Sequence, residues 1–400
     1  MNKLILQDLD LKEKKVLMRV DYNVPLNKDG SIADDTRIKE SLPSVQYILN
    51  AGGSVILMSH LGRPLGTLDS RFSLALCAQT LSSLLHQPVL MAEDCIGEKV
   101  EKMAHDLKPG QVMLLENLRF YPAEEKPSSD PTFAKKLAQL GDMYVNDAFG
   151  TAHRAHSSTA TIASFFPQKA AAGLLLQKEI NFLEPLFSHP PSPFYAIIGG
   201  AKISTKMGVL KSLLSKVNGI FIGGAMAFTF FKAQGISIGN SLCEEDQLTA
   251  ATAFLQECAQ KKVTVCLPQD IVIADAFQED AHSRTILSKE GIPQGWQGMD
   301  IGPKTLQEWQ NALKNAATLF WNGPLGVFEF PPFAKGTERI AQLLAHLSAT
   351  TVVGGGDSVA AINRLNLSSQ FTHISTGGGA CLEFIEFGHL PGIDALSAKA

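Results

Sequence analysis

The chain has few arginines and histidines, no patterned cysteines, and no apolar run long enough to cross a bilayer. Each shortage excludes something. The six cysteines (Cys77, Cys95, Cys243, Cys258, Cys266 and Cys381) contain no C-x-x-C and no regular spacing, so they read as reduced, mostly buried small hydrophobes of a cytosolic protein. The N-terminal MNKLILQDLDLKEKK alternates charge with aliphatics and lacks a continuous apolar core, so export is not expected. Net charge is −4 and neither half is strongly basic, which argues against nucleic acid or a membrane surface as the main partner. No G-x-x-x-x-G-K-[ST], no G-x-G-x-x-G and no protein-kinase signature set occurs. Any anion site must therefore be local.

What is present is a dense cluster in a chain otherwise sparing of it. Asn146 to Ser158 reads NDAFGTAHRAHSS, two histidines and an arginine within four positions, just past the strand-like Met143-Tyr144-Val145. An anion site, a metal site built on H-x-x-H, and an idle loop are the alternatives. The metal alternative lacks companion ligands other than Asp147, and Arg154 between the rings would repel a cation.

At 400 residues the chain exceeds what one core usually supports, so two domains are expected. Short β-branched runs alternate with amphipathic stretches, the pattern of βαβ units and parallel sheets. Strands are expected near Lys15–Val20, Ser54–Ser59, Val112–Leu115 and Met143–Val145. After a helical stretch at Gly173–Phe187, broken by HPPSP, they resume at Phe194–Ile198, Gly219–Ile222, Val263–Leu267, Leu319–Trp321, Thr351–Val353 and Thr372–Ser375. The expected fold is α/β: two Rossmann-like three-layer domains of similar size with parallel sheets, joined by that helix.

The halves differ at their strand ends. In the second, strands run into glycine: IIGGAK, FIGGAM, VVGGGDS and ISTGGGA. Glycine allows a sharp turn and brings backbone N–H groups close to phosphate at a helix N-terminus. One such element is ordinary turn geometry; several in one domain line one crevice. In the first half the strand ends are polar and basic, with Asp21 and Asn23 in RVDYNVP, Arg37 in DDTRI, His60 and Arg63 in SHLGRP, Arg119 in ENLRF, and His153, Arg154 and His156 in HRAH. An arginine fork matches phosphate and carboxylate oxygens, so repeated placement of this chemistry points to one small polyanionic substrate.

RVDYNVP, DDTRI, SHLGRP, ENLRF, NDAFGTAHRAHSS, GGAKISTK, WNGPLGVFE, GGGDS and STGGGA, in this order and spread over the whole chain, strongly resemble phosphoglycerate kinase. The resemblance implies reversible phosphoryl transfer between 1,3-bisphosphoglycerate with ADP and 3-phosphoglycerate with ATP, with Mg²⁺. It implies a glycerate-binding domain of residues 1–172 plus 386–400, a hinge helix at 173–187, and a nucleotide-binding domain at 188–385. Carried over by residue, Asp21, Asn23, Arg37, His60, Arg63, Arg119 and Arg154 bind the glycerate, with His153 and His156 in supporting roles. Gly199, Gly200, Lys206, Gly223, Gly298, Asn322, Glu329, Gly355, Gly356, Asp357 and Ser358 bind the nucleotide, and Asp357 holds the metal. Arg37, Lys202 and Lys206 are the implied catalytic cations. The resemblance further implies a cytoplasmic monomer whose partners are small-molecule substrates. Three positions depart from the family pattern: Ala225 where a third glycine is common, Ser358 for threonine, and Tyr22 for phenylalanine.

Two rivals remain in view. A sugar-phosphate oxidoreductase would need a dinucleotide fingerprint followed by an acidic residue, which is absent. A catalytically dead phosphate-binding scaffold would not need Arg37, Lys202, Lys206 and Asp357 together.

Overall fold

The computed structural model describes residues 2–188 and 190–399, so His189, first residue of the HPPSP break, lies outside the described residues. The chain divides into two compact units, Met1–Asn181 with His389–Ala400, and Phe182–Gly388. The boundary falls inside the helix Leu174–Leu183, and a second short helix, Pro185–Ser188, follows. The expected single helix is thus broken at Glu184, the residue before Pro185, where the proline ring disfavours helical backbone.

The first unit is built on six strands: β1 (Lys15–Arg19), β2 (Ser54–Met58), β3 (Val89–Met91), β4 (Val112–Leu114), β5 (Met143–Asn146) and β6 (Ala170–Ala172). They lie in the order β3-β4-β2-β1-β5-β6, every neighbouring pair parallel. SVILM of β2 is buried at every position, as a central strand covered by helices on both faces must be. The C-terminal segment returns here: Ser397 N–H donates to Ala170 at 2.9 Å, and Asn146 Nδ2 donates to the Gly392 carbonyl at 3.1 Å.

The second unit contains β7 (Phe194–Ile198), β8 (Gly219–Ile222), β9 (Thr264–Cys266), β10 (Asp270–Ala274), β11 (Ser283–Leu287), β12 (Gln297–Ile301), β13 (Thr318–Asn322), β14 (Thr350–Gly354) and β15 (His373–Ile374). Six of these form a parallel sheet in the order β15-β14-β13-β7-β8-β9. The remaining three form a separate antiparallel sheet, β11-β10-β12. This small sheet is an addition to the expected parallel architecture. Its outer strand β11, Ser-Arg-Thr-Ile-Leu, is exposed along its first three residues, so it carries neither an apolar run nor a clean alternation. β3 and β6, three residues each, were likewise not among the expected strands.

Candidate active site

Parallel register carries the polar residues of the first unit to one sheet edge. Arg19 of β1 pairs with Met58 of β2 and Asn146 of β5, so the segments beginning Val20, Ser59 and Asp147 leave the sheet side by side. Asp21 accepts a hydrogen bond from the Arg37 guanidinium, which sits in the first turn of the helix Thr36–Asn50. Asn23 Oδ1 accepts the Gly62 N–H at 2.8 Å, and Arg119 Nη1 donates to the Gly62 carbonyl at 2.9 Å. These bonds tie three of the motifs to one turn. Arg63 is exposed and has no ion pair among the described residues. Arg154 Nε donates to His153 Nε2 at 3.1 Å.

The electrostatics record how closely these groups converge. The His60 ring is held well below its ordinary pKa, by burial first and then by Arg19, Arg119, Arg37 and His156. His156 is driven down to about 3, again by burial first, then by Arg19, Arg119, Arg154 and His153. Both histidines are therefore neutral at physiological pH, and the positive charge resides on arginines. Glu125 is the local counterweight: its Oε1 lies 3.0 Å from Arg119 and 3.8 Å from Arg154. The HRAH segment itself is turn rather than helix, so His153 and His156 are not set by helical spacing.

Four residues were not among the expected site residues: Glu125 within the cluster, and Arg19, Glu124 and Ser158 buried beneath it. Arg19 is 1% exposed, its Nε donating to Ser158 Oγ at 2.8 Å, with Glu124 at 4.0 Å. Glu124 accepts from Ser158 Oγ at 2.6 Å and from Ser158 N–H at 3.1 Å. The available signal was the arginine closing KVLMR, a cation directly after the apolar Val-Leu-Met, which demands a partner once buried.

The second unit repeats the geometry with different chemistry. Asn322 of β13 pairs with Ile198 of β7 and Gly354 of β14, and Ile198 pairs with Ile222 of β8. Gly199, Gly223, Gly323 and Gly355 therefore all stand one residue past the same sheet edge. Gly224, at φ +65°, packs against the backbone N and O of Gly200, leaving no room for a Cβ. That contact seats Ala225 as the N-cap of the helix Met226–Ala233.

A cavity of about 460 Å³ opens beside these turns. Gly200, Gly298, Glu329 and Asp357 line it, together with Ala225 and the apolar Phe228, Ile271, Met299, Leu325 and Val327. A Cβ on Gly298 would collide with the Phe228 ring, so glycine keeps this wall open. Gly199, Gly223, Asn322, Gly355, Gly356, Ser358, Lys202 and Lys206 do not line the cavity. Gly356, Asp357 and Ser358 form the first turn of the helix Gly356–Arg364, where N–H groups lack intrahelical partners. Ser358 Oγ accepts the Gly323 N–H at 2.7 Å, locking two strand-end turns together.

Lys206 is the N-cap of the helix Met207–Leu213 and donates to Asn322 Oδ1. Lys202 precedes that helix and is exposed, so the two lysines do not share a helix face. Burial pushes the Lys206 ammonium down to about 8 against the opposing pull of Cys381 and Asp357. Asn322 is fully buried, and its Nδ2 has no hydrogen-bond partner among the described residues.

Comparison with known proteins agrees along the full length. The profile of the family described as Phosphoglycerate kinase matches residues 6–387. A phosphoglycerate kinase of Moorella thermoacetica is 52% identical over 399 residues, covering 100% of both chains. A relative named cytosolic phosphoglycerate kinase, from Triticum aestivum, is 52% identical over 394 residues, covering 98% of this chain and 97% of its own. Among solved structures, phosphoglycerate kinase from Coxiella burnetii superposes with a TM-score of 0.87 at 40% identity, covering 98% of each chain. With a family profile spanning both units and relatives this similar end to end, the chain belongs to the phosphoglycerate kinase family.

Proposed function

We propose a division of labour in which the first unit holds the glycerate substrate and the second holds the nucleotide. The activity is that of the family: a phosphotransferase reaction, reversible between 1,3-bisphosphoglycerate with ADP and 3-phosphoglycerate with ATP. The observation that carries the assignment is the contrast between the two strand-end edges, one presenting Arg37, His60, Arg119 and Arg154, the other glycine turns beside an apolar cavity. The first suits a small molecule whose charge is spread over a phosphate and a carboxylate. The second suits a purine against Phe228, Met299 and Leu325, with its phosphates toward Gly356 and Lys206.

In the direction of ATP consumption the nucleophile is the carboxylate of 3-phosphoglycerate. It is already anionic at neutral pH, so no residue need act as general base, and none of the clustered histidines is poised to do so. Asp21 orients Arg37, whose guanidinium bridges the acceptor carboxylate and the transferring group. Lys206 and Lys202 supply positive charge to the equatorial oxygens from the nucleotide side. Removing one stabiliser of this kind typically costs roughly 10²–10³ in rate.

Among the described residues no cluster of three His, Cys, Asp or Glu is arranged to hold a metal. Of the three carboxylates that line the cavity, Asp300, Glu329 and Asp357, the last stands at a helix N-terminus. Magnesium ordinarily keeps its waters and binds through one or two carboxylates plus substrate phosphates. Asp357 therefore fits an ion that arrives with the nucleotide, and the chemistry supplied is neutralisation of phosphate charge.

Transfer requires the two ligand sets to meet. Closure about the helix Leu174–Leu183, which carries the chain from one unit to the other, is the proposed route. No helix among the described residues is long and apolar enough to cross a membrane, and we read the protein as a cytoplasmic monomer. The deciding experiment is a coupled assay for Mg²⁺-dependent ATP formation from 1,3-bisphosphoglycerate and ADP. Turnover is expected. Normal binding of both ligands without turnover would instead make the chain a scaffold that kept the fold.

A further inference from the structure

His60 follows β2, is 3% exposed, and places its Nδ1 3.2 Å from Nη2 of Arg19. A guanidinium only donates and keeps its proton in proteins. Nδ1 is therefore the acceptor and carries no hydrogen, so the neutral ring must hold its proton on Nε2. That second nitrogen has no hydrogen-bond partner among the described residues, and it is not one of the sealed polar atoms left without one. It is the ring atom that meets an incoming ligand.

We propose that Arg19 is a positioning residue for the reaction, fixing His60 as the neutral Nε2–H tautomer that donates to an oxygen of the bound glycerate. The proposal rests on the reading of this cluster as the glycerate site. Arg19 cannot swing away. Its Nε is held by Ser158 Oγ at 2.8 Å, its Nη1 by the Val20 carbonyl, and its charge faces Glu124 at 4.0 Å. Glu124 is itself pinned by Ser158 N–H and Oγ. The other charged or titratable groups around the ring are Arg37, Arg119 and His156. The cations and burial together oppose a second proton on His60. Protonation would also place a ring N–H against the Arg19 N–H, two donors face to face. The site thereby gains a directional donor whose state is constant where histidine ordinarily titrates.

The test uses the full chain labelled with ¹⁵N-histidine, with long-range ¹H–¹⁵N spectra assigned by a His60→Gln control. The expected pattern is an Nε2–H tautomer, unchanged between about pH 5.5 and 8. Addition of 3-phosphoglycerate should shift Nε2 and leave Nδ1 nearly unmoved. An Nδ1–H tautomer, titration inside that window, or ligand binding without any His60 shift would overturn the proposal. A paired variant, Arg19→Met with Glu124→Gln, removes both buried charges together so that neither is stranded. In it His60 should begin to titrate, and 3-phosphoglycerate affinity should fall about tenfold and become pH-dependent. Unchanged affinity and no titration would count against the role of Arg19; should the pair not fold, the spectra of the unaltered protein decide. Arg119→Ala separates the two levels: if it leaves 3-phosphoglycerate affinity intact, the glycerate-site reading fails, whatever the tautomer of His60.

Discussion

Asp147 accepts the backbone N–H of Leu175 at 2.8 Å, and the same oxygen accepts that of Leu176 at 3.1 Å. The carboxyl at the end of β5 thus caps the helix Leu174–Leu183 that leaves the first unit. Ser44 Oγ accepts the neighbouring Leu174 N–H at 2.9 Å. The helix start is therefore held by side chains from two elements that also carry anion-cluster residues, Arg37 and Arg154.

Asp147→Ala removes two such bonds and should lower stability by about 1–2 kcal/mol, read as a drop in the urea midpoint at constant slope. Burial raises the Asp147 carboxyl from 3.8 to about 7 against the hydrogen bonds that favour its charged form. A raised carboxyl keeps its proton in the folded state where the unfolded chain has lost it. Its contribution to stability is thus greatest below pH 4 and lost as pH rises toward 7. Asp147→Asn should lack that loss, so its stability relative to the unaltered protein should improve across this window. A constant difference between the two would contradict the assignment.

Lys206 is buried enough to titrate near 8, so its positive charge is complete at pH 6.5 and largely gone at 9.5. Nucleotide affinity should be level below pH 7 and weaken above 8 through one ionisation. Lys206→Arg, which cannot deprotonate in this range, should flatten the alkaline limb. Calorimetric titration with Mg-ADP at several pH values reads both.

Glu125 occupies Arg119 and Arg154 with one oxygen, as a substrate anion would. Glu125→Gln should tighten 3-phosphoglycerate binding several-fold and leave Mg-ADP affinity unchanged. Weaker binding would mean that the carboxylate positions the arginines rather than competing with the ligand.

Arg37→Ala and Asp357→Asn form a complementary pair. The first should lower turnover by roughly 10²–10³ while sparing nucleotide affinity. The second should weaken Mg-nucleotide binding and spare 3-phosphoglycerate. Equal loss of both ligands in either variant would show that the two sites are not separate.

Much of this was legible in the chain. Runs such as SVILM and FYAII announce buried parallel strands, because only a sheet covered on both faces needs continuous apolar residues. Glycine after β7, β8 and β14 and arginine or histidine after β2, β4 and β5 separate an edge lined by backbone from one lined by polar side chains. Of the antiparallel sheet, β11 was not legible, because an exposed Ser-Arg-Thr strand carries no periodic signal, whereas β10, Asp-Ile-Val-Ile-Ala, is itself an apolar run. Nor were Glu124 and Glu125 separable: adjacent and identical in type, one is fully buried and the other half-exposed.

By itself, then, the sequence determined the two-unit α/β architecture, the ordered motifs and the residue types at each strand end. These follow from local periodicity, turn chemistry and charge. Only the tertiary structure decided which cation is enclosed and which stays open to solvent. Arg19 and Arg154 are chemically alike, but the first is enclosed by Ser158, His60 and Glu124 while the second remains half-exposed. It also made His60 and His156 neutral, since an imidazole's charge depends on burial and on arginines brought from distant strands.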